Sequence, residues 1–69
     1  MKTIAERVRW LRKKRGLTQA EVDKIAGLSF GHTGAIERGR RKSPNVETLR
    51  KIAKSLGVGV VWLIEGGRF

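Results

Sequence analysis

TQAEVDKIAGLSFGHTGAIERG, Thr18 to Gly39, is the stretch that decides how this chain folds. Thr18 and Glu21 stand three apart, the spacing of a capping box, in which each residue satisfies a backbone N–H that a helix start leaves open. Val22, Ile25 and Ala26 then give a short helix its apolar side. Gly27-Leu28-Ser29 follows as a turn. That turn needs a left-handed backbone at its first residue, which costs a side chain with a Cβ roughly 1 kcal/mol or more, and glycine avoids the cost. Ser29 is expected to cap a second helix running to about Arg38, with Gly39 as its stop. Leu28 and Ile36 would lock the two helices against each other and against Val22 and Ala26.

The same punctuation extends in both directions. Upstream, Thr3-x-x-Glu6 is another capping box, Ile4, Val8 and Leu11 recur at helical spacing, and Gly16 closes the segment after Lys13, Lys14 and Arg15. Downstream, Arg40, Arg41, Lys42, Ser43 and Pro44 form a basic loop. Asn45 caps a fourth helix with Val46, Leu49, Ile52, Ala53 and Leu56 on one face, and Gly57 ends it. Val60 to Ile64 make a short fifth helix. The reading is all-α: one compact five-helix domain over residues 1–65, followed by a short tail over residues 66–69. Connections this short leave room only for packed neighbours.

Composition narrows the function. The chain has 69 residues, which allows one domain. It has no Cys, which removes disulfides and Cys-based zinc sites, and a single His beside six scattered carboxylates makes a metal site unexpected. No cofactor and no enzyme activity are expected, because the lone His has no positioned nucleophile. Sixteen Lys and Arg against six Asp and Glu give a net charge of +10, the footprint of a polyanion partner. The N-terminal MKTIAERVRW carries charges throughout, and no apolar run approaches about 18 residues. An intracellular protein with no membrane association is therefore expected.

Two short helices joined by a glycine turn are the helix-turn-helix pattern. The ordered set of residues resembles the Cro/C1-type helix-turn-helix repressors of lambdoid phages and bacteria. It comprises Leu11-Arg12, Arg15-Gly16-Leu17-Thr18-Gln19, Gly27-Leu28-Ser29 and Ile36-Glu37-Arg38-Gly39, then Glu47-Thr48-Leu49, Ile52 to Val58, and Trp62-Leu63. The resemblance implies a five-helix lambda-repressor-like domain whose third helix lies in the major groove of double-stranded DNA. It implies that Gln19 binds a phosphate, with a solvated first-turn Gln as the plainer reading. It implies a structural pair between Arg12 and Glu37, with Arg12 also a candidate for backbone contact. Thr18, His32, Arg38, Arg40, Arg41 and Lys42 complete the expected phosphate-facing set, which fixes register and salt dependence rather than sequence choice.

The sequence departs from the family pattern in three respects. Asp23 stands where a small Ala is usual. Either the second helix is rotated so that Ile25 points inward, or Asp23 bonds a partner such as His32 or Thr33; the second is preferred. Thr33 replaces a Val or Ile. Phe30, Gly31, Gly34 and Ala35 are left to face bases, a set able to make apolar contacts with thymine methyls but few directional bonds. Direct readout is therefore expected to be sparse, with DNA shape supplying selectivity.

Trp10 lies well off its helix's apolar face and reads as a lone surface aromatic, a contact with the tail, or an interface anchor. Val60, Val61, Trp62 and Ile64 are the expected surface of a weak homodimer on a pseudo-palindromic operator. The leading expectation is a cytoplasmic, nucleoid-associated bacterial or phage regulator, most simply a repressor. The alternative is an antitoxin-like protein-interaction module of the same fold.

Overall fold

The computed structural model describes residues 3–39 and 44–66. It contains five helices and, among the described residues, no strand: α1 (Ile4–Lys14), α2 (Gln19–Ala26), α3 (His32–Glu37), α4 (Val46–Leu56) and α5 (Val60–Glu65). No helix there is long and apolar enough to cross a membrane. The expected basic loop Arg40, Arg41, Lys42 and Ser43 and the tail beyond Gly66 lie outside the described residues.

Local chemistry sets most helix ends. Thr3 and Glu6 bond each other's backbone at 3.1 Å in both directions. Thr18 and Glu21 do the same at 2.8 and 3.0 Å. Asn45 accepts from the Glu47 N–H at 2.7 Å. Gly27 and Gly57 end α2 and α4 at φ 71° and 76°, the left-handed region that favours glycine.

The core joins all five helices through Val8, Leu11, Val22, Ile36, Ile52, Ala53, Leu56 and Leu63. Ile4, Leu17, Leu28, Val58, Val60 and Trp62 pack around it. α1 packs on α3 and α5, and α2 packs on α3 and α4. The two helices of the motif are thus held by different neighbours as well as by each other. Val46, expected on the buried face of α4, is 51% exposed. At 100° per residue it falls about 70° from the centre of the Leu49, Ile52, Ala53 and Leu56 stripe.

The start of the third helix differs from expectation. Ser29 does not cap it: α3 begins at His32, with Gly31 before it at φ 90°. Ser29 instead uses its carbonyl, which accepts from the His32 N–H at 3.2 Å. Gly34 within α3 and Gly31 just ahead of it weaken the helix here, and the capping is taken over by a side chain from α2.

Candidate nucleic-acid interface

That side chain is Asp23, and it is buried. Its Oδ2 accepts from the Gly31 N–H at 2.9 Å. Its Oδ1 accepts from the Thr33 N–H at 2.8 Å and from the Thr33 hydroxyl at 2.6 Å. A buried carboxylate is costly unless its oxygens are bonded, and here three donors surround it. Two of them are N–H groups that a helix start leaves open, so Asp23 caps α3 from the neighbouring helix. Of the partners considered, the hydroxyl of Thr33 is bonded and His32 is not the partner found. The rotated alternative is excluded, since Ile25 is 59% exposed. Thr33 in place of a β-branched hydrocarbon is explained by the same contact: it keeps the shape and supplies a donor.

The far end of α3 is fastened to α1. Arg12 Nε and Nη2 donate to the two Glu37 oxygens at 2.6 and 3.0 Å, and Nη1 donates to the Leu17 carbonyl at 2.9 Å. The two side chains are 11% and 4% exposed. The hydrogen bond from Arg12 to Glu37 raises the already high guanidinium pKa, so this charge is permanent. Three of its five N–H donors are thus committed inside the protein, and the expected pair with Glu37 is formed. Gln19 joins the cluster, its Nε2 donating to Glu37 Oε1 at 3.2 Å.

The expected base-facing residues separate. Phe30 projects in the turn just ahead of α3 and is 90% exposed. Gly31 and Ala35 are half-buried. Gly34 is corrected: it is buried, and its Cα faces Gln19 and Arg38 rather than solvent. Among the phosphate candidates, Thr18 and Arg38 are exposed, while Gln19 and His32 are half-buried. Arg40, Arg41 and Lys42 lie outside the described residues.

On α5, the expected dimer residues divide by face. Val61 is 61% exposed and Ile64 39% exposed. Val60 and Trp62 instead pack on the core. Both are half-buried. Trp10 meets Trp62 with ring centroids 6.0 Å apart, and the Lys14 ammonium lies 5.1 Å from the Trp10 centroid. Trp10 is thus joined to α5 of its own chain.

Two arginines have roles that composition hides. Arg7 is buried and donates to the carbonyls of Leu63 and Ile64 at 2.7 and 2.8 Å. Arg15 donates to the Leu56 carbonyl at 3.0 Å. Each places a cation at the C-terminal end of another helix, where open carbonyls and the helix dipole favour it. For Arg7 a signal existed, since it sits inside the Ile4, Val8, Leu11 stripe.

A turn of this geometry between α2 and α3, with α3 pinned at both ends, defines a helix-turn-helix domain. The helix-turn-helix family model matches residues 8–63. An uncharacterized HTH-type transcriptional regulator of Sinorhizobium fredii is 46% identical over 54 residues, covering 78% of this chain and 69% of its own length. The immunity repressor protein of Bacillus phage phi105 is 38% identical over 58 residues, covering 84% of this chain and 40% of its own. The P22 c2 repressor, solved in complex with a synthetic operator, superposes with a TM-score of 0.86 at 31% identity, covering 97% of this chain and 100% of that one. The chain belongs to the Cro/C1-type helix-turn-helix family. Four of the curated relatives are longer proteins, of which it spans 40% to 56%.

Proposed function

We propose that this chain is a DNA-binding transcriptional regulator, a repressor that occupies an operator by setting α3 in the major groove of double-stranded DNA. The observation that carries this reading is the presentation of Phe30. It is 90% exposed, directly ahead of a helix whose start is fixed by Asp23 and whose end is fixed by Arg12 and Glu37. The similarity to a repressor solved on operator DNA supports it. Phe30 and Ala35 contact thymine methyl groups, and Gly31 allows close backbone approach. Thr18, Gln19, His32 and Arg38, with Arg40, Arg41 and Lys42, grip the phosphates. Selectivity beyond the few apolar contacts comes from DNA shape and deformability. Val61 and Ile64 form the exposed part of a weak homodimer surface, which places two copies one helical turn apart on a pseudo-palindrome. Such a protein works in the cytoplasm at the nucleoid.

Selection of bound sites from random double-stranded DNA, followed by a salt titration on the selected duplex, tests this. The expected result is an A·T-biased motif and a steep fall of affinity with salt. Several strongly fixed G·C pairs under α3 would overturn sparse readout. An absence of salt-dependent DNA affinity would overturn the whole reading and leave the antitoxin-like protein-binding module.

A further inference from the structure

Gly34 stands in the third position of α3 and is buried. Its backbone is ordinary right-handed helix, since it is not among the glycines with positive φ. The glycine is therefore not explained by backbone freedom, and alanine would favour the helix more. Space explains it. A Cβ added there would stand 2.9 Å from Gln19 Oε1, 3.1 Å from Arg38 Nη1 and 3.5 Å from Gln19 Cδ. The first two distances are inside the roughly 3.5–4.0 Å at which non-bonded heavy atoms pack best.

The side chains filling that space are both on the expected phosphate-facing set. The Gln19 amide is oriented from its other end by Glu37, whose carboxylate is itself fixed by Arg12. The amide is thus held between a hydrogen bond on one side and the bare Cα of Gly34 on the other. We propose that Gly34 is a positioning residue: its missing side chain seats the Gln19 carboxamide and the Arg38 guanidinium at the junction of α2 and α3, in the orientation that meets backbone phosphates. The part about phosphates rests on the DNA-binding reading above. The seat itself does not.

The two groups in contact are the ends of flexible side chains. A methyl at position 34 displaces them and leaves α3 folded. Gly34→Ala is therefore expected to melt at the wild-type temperature or above it, while binding the selected duplex about tenfold more weakly, the loss of one charge-assisted hydrogen bond. In the Gln19→Ala background the same substitution is expected to cost much less, because the amide it displaces is already gone. A third measurement needs no DNA: the Gln19 side-chain NH₂ resonances should shift and exchange faster with solvent in Gly34→Ala. Unchanged Gln19 resonances overturn the seat. Strictly additive losses in the Gly34 and Gln19 cycle overturn its link to phosphate binding. If the wild-type protein has no DNA affinity, the functional reading fails, and the Gln19 resonances alone decide the seat.

Discussion

At the scale of single residues, the most consequential is Asp23. Its two oxygens take three donors from a neighbouring segment, so its removal leaves two backbone N–H groups and a buried hydroxyl without their acceptor. Asp23→Ala is expected to lower the unfolding free energy by about 2–4 kcal/mol, measured by urea denaturation. Asp23→Asn retains one acceptor oxygen and should lose distinctly less. Equal losses from the two variants would show that the carboxylate is not acting as a shared cap. Phe30 is the opposite kind of residue. At 90% exposure it contributes little to folding, and Phe30→Ala should leave stability within about 0.5 kcal/mol of wild type. On the proposed function it should weaken DNA binding by about 1–2 kcal/mol, the worth of a good base contact. Anisotropy titrations of the variant indistinguishable from wild type would remove Phe30 from the reading face.

At the scale of elements, the helix starts rest on two different devices. α1 and α2 carry their own capping boxes in sequence, whereas α3 borrows its cap from α2. The α2 box makes a prediction about acid. The Thr18 backbone N–H, and secondly its hydroxyl, hold the Glu21 carboxyl below its ordinary pKa. A depressed folded-state value means that the contribution is fully present above the unfolded value and is lost as pH falls through the folded one. Glu21→Gln can still accept the Thr18 N–H but does not titrate, so its melting temperature should fall less steeply between neutral and acidic pH. Circular dichroism melts across that range measure the difference, and parallel acid limbs would show that Glu21 is not the group responsible. The third helix is short, six residues, and two of its flanking devices come from other elements. Its geometry therefore depends on α1 and α2 remaining docked.

At the scale of the whole molecule, the charge of +10 acts in two directions. It draws a polyanion in, and it makes the folded chain repel itself. Salt screens both, as the Debye length shortens from about 10 Å at 0.1 M to about 3 Å at 1 M. Raising sodium chloride over that range should raise the melting temperature of the free protein while sharply weakening its affinity for DNA. A melting temperature that falls with salt would mean that local ion pairs outweigh the net repulsion. Not all of the charge is available to a partner. Arg7, Arg12 and Arg15 are engaged in holding helix ends and the ion pair, so a count of cations overstates the charge left for a polyanion.

The sequence by itself determined what depends on neighbours three or four residues apart. The capping boxes at Thr3 and Thr18, the Asn45 cap and the glycine stops mark helix ends that the structure shares, because each is a hydrogen bond or a backbone angle within one short segment. The family resemblance added the pairing of Arg12 with Glu37, which spacing alone does not reveal. Only the tertiary structure decided where α3 begins, since its cap is eight to ten residues away on another helix. It alone placed Gly34, expected to face bases, in a buried position against the Gln19 and Arg38 side chains, and Trp62 beside Trp10. Arg7 reaches carbonyls more than fifty residues ahead. The physical reason is the same throughout: a side chain's partner is fixed by which helices pack together, and that is settled by the whole core rather than by the segment that carries the residue.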